Sequence, residues 1–306
     1  MARKSKTGCS EEQIGSMPSF FVVGPPRTGT SWLHEILSEH TVLPSPTKET
    51  RFFDLHFHLG ADWYRDRFPR ETSDRSPSTR PVGEVGPTYF SSPEARQRIA
   101  ALVPAARIVC IFRDPAERMF SLYRLKRAYG MIPWTFEQAI ARDPELLESG
   151  RYATHLKEWL RAFGPDQVMA TFYEDLRKDP QEYVDQLSGF IGIPKFTLTP
   201  TQLGRVHTSE GMTTPRNYYL TRNATGLAEW LKTRKLDRVV MRVKQSPLIK
   251  LFLGGGSAFE KLSPEVKARV RELLRTEVEE LEAMLDRDLS AWKSVGTFSC
   301  ALPVVV

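Results

Sequence analysis

Residues 20–40 read FFVVGPPRTGTSWLHEILSEH, and the fold is decided there. FFVVG (20–24) is a short apolar, aromatic and β-branched run closed by Gly-Pro-Pro, the pattern of a buried strand. In SWLHEILSEH the apolar residues Trp32, Leu33, Ile36 and Leu37 recur at helical spacing. Between the two, GPPRTGTS (24–31) has the spacing G-x4-G-x-[ST] of a phosphate-binding loop. Such a loop turns successive backbone N–H groups inward and the next helix adds its positive end, so phosphate oxygens bind there. The Lys that reaches the β- and γ-phosphates in nucleoside triphosphatases is replaced by Thr30, and a guanidinium, Arg27, stands inside the loop instead.

The alternation continues outward. Ser92-Pro93-Glu94 supplies a cap, a first-turn Pro and an acid for a helix that stops at Pro104. RIVCIF (107–112) reads as a second strand and RDPAERMFSLYRLKRA (113–128) as helix. VMATFYE (168–174) is a third strand, and Asp179-Pro180 starts a helix ending near Gly192. Strands alternating with helices predict an α/β fold, a single P-loop-like domain with a central, mainly parallel sheet flanked by helices. Residues 41–85 form an irregular region too long for an ordinary connection, with a mobile loop at 70–81. Later, Leu227 to Val243 suggest a basic amphipathic helix, 251–257 a turn, and Ser263-Pro264-Glu265 the start of one long helix to Leu285. The expected boundaries are a flexible leader at 1–17, the domain at 18–295 and a tail at 296–306.

Composition narrows the class. The 306 residues are 41% apolar, 26% charged and 10% aromatic, with a net charge of +6, which excludes disordered, collagen-like and membrane-spanning chains. A chain of this length buries roughly three-quarters of its unfolded surface, so no metal or disulfide staple is needed. Cys9, Cys110 and Cys300 form neither a disulfide framework nor a zinc site, and suit a reducing, cytoplasmic setting. The mild positive charge fits a phosphorylated or sulfated small ligand; neither nucleic acid nor membrane is an expected partner, and the sequence carries no signal of oligomeric state.

A second anion-binding signal is IFRDPAERMFS (111–121), where Arg113 ends a strand and Ser121 lies two turns into the next helix. Both fall at the carboxyl edge of the expected sheet, where open α/β folds bind ligands. An Arg fork and a hydroxyl suit a phosphate separate from the first. The plain alternatives are a strand-to-helix turn stiffened by Pro-Pro for GPPRTG, and a helix-starting turn with a local salt bridge for Arg113-Asp114-Pro115. Together, two phosphate sites without triphosphate machinery point to a nucleotide phosphorylated at two places.

The pair PRTGTSW and FRDPAERMFS resembles the 5′-phosphosulfate and 3′-phosphate motifs of sulfotransferases that use 3′-phosphoadenosine 5′-phosphosulfate (PAPS). TKETRFFD (47–54), ADWYRDRFP (61–69) and GEVGPTYF (83–90) resemble, in order, blocks of the heparan-sulfate or carbohydrate branch, in a soluble, bacterial-type form. SGRYATHLKEWLRAF, FYEDLRKDP and DRDLSAW are similar to its later blocks.

The resemblance implies PAPS as co-substrate, no metal, and transfer of a sulfuryl group to a carbohydrate-like or small-molecule acceptor. It assigns the 5′-phosphosulfate to Arg27, Thr28, Gly29, Thr30 and Ser31, with Arg27 steadying the leaving group, and the 3′-phosphate to Arg113 and Ser121. It makes Arg216, in SEGMTTPRN, a candidate to close over the nucleotide. Glu49 is the implied general base, with Lys48 beside it on the sulfuryl group or acceptor and Glu84 as the alternative base. Val85 stands where this branch often has Lys. Gly254–Gly256 only echoes the glycine element of phenol and steroid sulfotransferases. His56 and His58 flank Phe57 and would face one way on a strand, but with no third ligand they read as loop histidines. Lys232 to Lys250 reads as a solvated basic face. Two rival readings stand beside this one. A P-loop kinase of a small metabolite conflicts with Thr30 and with the lack of a Walker-B Asp. A nucleotide- or glycan-binding module without turnover draws on Val85.

Overall fold

The computed structural model describes residues 17–69, 80–205, 213–234, 236 and 256–293. Most of the expected leader, the tail, the loop around 70–79, most of the basic run 232–250, and Gly254 and Gly255 lie outside those residues.

Strand β1 (Phe20–Gly24) is buried along its whole length. It pairs in parallel with β2 (Gly83–Val85) on one side and β3 (Arg107–Phe112) on the other. With β4 (Val168–Phe172) the order is β2-β1-β3-β4, the expected parallel α/β sheet. β2 lay unrecognised within the irregular region. Three residues including Gly and Glu carry no strand pattern, and β1 supplies the pairing, Phe20 opposite Gly83 and Phe21 opposite Glu84. A Cβ at Gly83 would lie 2.0 Å from the Phe20 ring, so only glycine admits that ring. β4 ends at Phe172, two residues before the expected end.

Contacts divide the chain into two compact units. The first takes 1–24, 29–111 and 158–206, and the second 25–28, 112–157 and 207–306.

In the first unit, α1 (Thr30–Leu37) lays Trp32, Leu33, Ile36 and Leu37 into a core with Phe20, Val22, Val109 and Ile111. Side chains alternate across a strand, so Phe21 points to the opposite face. There it meets Phe53 edge-on at 5.5 Å. The expected irregular region is in fact helical here. A π turn (Phe52–His56) runs into a 3-10 turn (Phe57–Leu59) and α2 (Gly60–Arg65). Phe52 stacks on Tyr64 of α2 at 4.5 Å, and Phe53 meets Tyr89 at 5.7 Å. Burying each phenyl ring contributes about 1.5–3 kcal/mol, which anchors the segment carrying Lys48 and Glu49. Helix α3 (Pro93–Leu102) starts as expected, with the Ser92 hydroxyl accepting from the Ala95 N–H at 3.1 Å.

In the second unit, α4 (Pro115–Ala128) packs Met119, Leu122 and Tyr123 against α5 (Phe136–Arg142) and α6 (Pro144–Glu148). Helix α7 (Tyr152–Phe163) crosses the boundary between the units in sequence. After β4 come α8 (Tyr173–Lys178), α9 (Pro180–Ile191), α10 (Pro200–Arg205) and α11 (Tyr218–Thr233). The single long C-terminal helix is two helices, α12 (Pro264–Leu273) and α13 (Arg275–Leu285). Between them Leu274 leaves helical geometry at φ −110° and ψ 11°. Its side chain is buried in the core of this unit beside Gly150, where a Cβ would sit 2.9 Å from it. Core packing overrides the uniform helical periodicity there.

Candidate active site

The phosphate loop leaves β1 through Gly24, at φ +92°, where a Cβ would lie 2.7 Å from the Pro87 Cα. Gly29, at φ +91°, caps α1, and a Cβ there would stand 2.9 Å from Leu176 of α8. Between them Arg27 adopts φ +76°, a left-handed conformation that costs a side-chain-bearing residue about 1–2 kcal/mol. Strain of this kind collects at functional sites. No side chain caps α1, and no acid stands in its first turn. Helices α3, α4 and α9 differ, since Ser92, Asp114 and Asp179 accept their first-turn N–H groups. The positive end of α1 therefore suits an anion. Thr28 is fully buried and donates its hydroxyl to the Pro25 carbonyl at 2.8 Å. Thr30, in the place of the Walker lysine, is buried as well, whereas Ser31 is exposed.

Within the first unit, Lys48 joins this helix start to the glutamate beside it. Its Nζ donates to Ser31 Oγ at 3.1 Å and lies 3.4 Å from Glu49 Oε1. Lys48 and Glu49 remain 26% and 30% exposed, so solvent and a substrate can reach both. His34, one turn further along α1, is held neutral: burial, and then the Lys48 charge, lower its pKa to about 4.

Glu84 has the opposite surroundings. On β2 it is fully buried, and its carboxylate accepts from the Thr50 N–H at 3.1 Å, the Thr50 hydroxyl at 2.6 Å, the Tyr64 hydroxyl at 2.6 Å and the Tyr89 hydroxyl at 3.0 Å. Burial drives its pKa above the usual carboxylate range, against the pull of these bonds. The same burial raises the Tyr64 and Tyr89 hydroxyls well above ordinary tyrosine. Sequence reasoning did not find Thr50, Tyr64 or Tyr89. Two of the three stand 34 and 20 residues from Glu84 in the chain, so no local pattern links them.

In the second unit, Arg27 Nε donates to Ser121 Oγ at 2.9 Å, and Arg113 Nη1 donates to the Arg27 carbonyl at 3.2 Å. Arg27 and Ser121, assigned by resemblance to opposite ends of the nucleotide, thus meet directly. Tyr152, also missed in sequence, donates its hydroxyl to the Arg113 carbonyl at 3.0 Å. Asp114 caps α4 and pairs with Arg271. Arg216 is exposed just before α11. His56 and His58 lie on helical turns instead of a strand, their ring centroids 6.4 Å apart. Among the described residues, no three His, Cys, Asp or Glu side chains are grouped to hold a metal. No described helix is long and apolar enough to cross a membrane.

A family model described as the sulfotransferase domain matches residues 17–223. The chain belongs to the sulfotransferase domain family. Among relatives, the bifunctional heparan sulfate N-deacetylase/N-sulfotransferase 2 of Bos taurus is 35% identical over 207 residues, 61% of this chain and 23% of that protein. N-deacetylase/N-sulfotransferase 3 of Homo sapiens is 33% identical over 204 residues, 60% of this chain and 23% of that protein. The chain spans under a quarter of the length of these curated relatives. A solved sulfotransferase from Alicyclobacillus acidocaldarius superposes with a TM-score of 0.62 at 22% identity, over 91% of this chain and 99% of that one. That likeness establishes the sulfotransferase fold, in agreement with the parallel sheet.

Proposed function

We propose that this chain moves a sulfuryl group from PAPS to a hydroxyl or amine of a carbohydrate-like or small-molecule acceptor, leaving adenosine 3′,5′-bisphosphate. The observation that carries this reading is the position of Lys48, which links the phosphate-loop hydroxyl of Ser31 to the carboxylate of Glu49. In an in-line displacement the acceptor atom bonds to sulfur, the bond from sulfur to the phosphate oxygen breaks, and the acceptor proton passes to Glu49. Correctly placed base catalysis contributes roughly 10²–10⁴-fold. The loop from Arg27 to Ser31, with the start of α1, takes the 5′-phosphosulfate, and Lys48 faces the sulfuryl oxygens. A preorganised cation on a departing phosphate adds on the order of 10²–10³-fold, the part given to Arg27. Arg113 and Ser121 take the 3′-phosphate, and Arg216 closes over the nucleotide.

The uncapped, acid-free start of α1 suits the anionic donor. The buried Thr30 side chain counts against a kinase, whose loop needs a long cation there. The heparan sulfate N-sulfotransferase relatives favour a carbohydrate amine or hydroxyl as acceptor. The reading takes residues 18–295 as the domain and the cytoplasm as its setting, which the buried, unpaired Cys110 suits.

Calorimetric titration with adenosine 3′,5′-bisphosphate and labelled-sulfate transfer, run on two variants, test these roles. Glu49→Gln should lower transfer by about 10²–10⁴-fold with nucleotide affinity within a few-fold of wild type. Arg113→Ala should weaken nucleotide binding by at least tenfold, since a charged hydrogen bond contributes about 1.5–3 kcal/mol. The reverse pattern would overturn the assignments.

A further inference from the structure

A carboxylate buried without a cation is expensive, and proteins keep one where it does something hydrocarbon cannot. Glu84 is such a group: among the described residues it forms no ion pair, and hydroxyls with one backbone N–H satisfy it. Full burial keeps it from any acceptor, so it does not serve as the alternative base.

Its contacts point to another role. Two of the four bonds go to Thr50, the residue that follows Glu49, through both its N–H and its hydroxyl. The Thr50 hydroxyl also accepts the Phe52 N–H at 3.1 Å, and between them Arg51 is held left-handed at φ +52°. The backbone that presents Glu49 is therefore turned and pinned from one side. Tyr64 of α2 and Tyr89, which follows β2, complete the clamp. Three separate pieces of chain converge on one carboxylate, and the pinned piece is the one carrying Lys48 and Glu49.

We infer that Glu84 is a positioning residue that acts through Thr50 to fix where Glu49 and Lys48 stand. The inference rests on Glu49 being the base. A misplacement of about 1 Å costs a catalytic group up to about 10²-fold.

The test is a double-mutant cycle in single-turnover transfer of labelled sulfate from PAPS, with adenosine 3′,5′-bisphosphate affinity measured in parallel. Glu84→Gln keeps the shape but sets an NH₂ against hydroxyl donors. It should lower kcat about 10- to 100-fold, with the nucleotide Kd and acceptor KM within about twofold of wild type. In a Glu49→Gln background the same change should have little further effect, because its target is already gone. Thr50→Val, which removes the hydroxyl and keeps the bulk, should repeat this pattern and serves if Glu84→Gln fails to fold. Equal losses in both backgrounds, or a loss expressed in nucleotide Kd, would overturn the positioning role. Full transfer by Glu49→Gln alone would instead defeat the base assignment, a separate outcome.

Discussion

Glu49 and Glu84 show how far surroundings separate two identical side chains. Glu49 shares a partly exposed site with an ammonium, and Glu84 sits fully enclosed among hydroxyls. His34 adds a titration nearby, with its Nε2 buried and without a hydrogen-bond partner. Its pKa falls from 6.5 to about 4, first from burial and then from Lys48. As the pH falls through 6.5 the unfolded chain takes up a proton at this histidine, while in the folded chain it stays neutral until about 4. The contribution to stability is thus whole above pH 6.5 and lost as pH falls towards 4. Thermal melts from pH 7.5 to 4.5 should show the wild type losing stability relative to His34→Gln as pH drops. Parallel curves would contradict that account. None of this was legible in the sequence, where His34 is one polar position on an amphipathic helix.

Among the elements, legibility followed locality. The starts of α3, α4 and α9 were readable because a Ser or Asp and the following Pro act on their own first turn. The alternation of β1, β3 and β4 with helices was readable from apolar runs. β2 was not, because its pairing belongs to β1, and the break at Leu274 was not, because its cause is packing beside Gly150. The phosphate loop was readable from its glycines, though not the reason they are required. Gly29→Ala tests that reason: a Cβ would meet Leu176 at 2.9 Å and the Tyr173 ring at 3.1 Å, on top of a left-handed φ. The expected cost is about 1–3 kcal/mol of stability, with nucleotide affinity lowered at least tenfold. A variant that melts and binds adenosine 3′,5′-bisphosphate like the wild type would show that neither the close approach nor the conformation matters.

On the scale of the whole molecule, the family match ends at residue 223, and α12 and α13 lie beyond it. In the second unit these helices are tied back to the start of α4 and to α7. Arg271 of α12 pairs with Asp114, next to Arg113, and Glu277 of α13 accepts from the Thr154 N–H at 3.0 Å. The net charge of +6 is favourable for a polyanionic donor without dictating the acceptor. The most direct test is labelled-sulfate transfer from PAPS, with magnesium chelated, onto a panel of carbohydrates and small hydroxyl- and amine-bearing metabolites. The account predicts label in an acceptor, matched mole for mole by adenosine 3′,5′-bisphosphate. Bisphosphate binding with no label on any acceptor, or turnover seen only with ATP and magnesium, would contradict it.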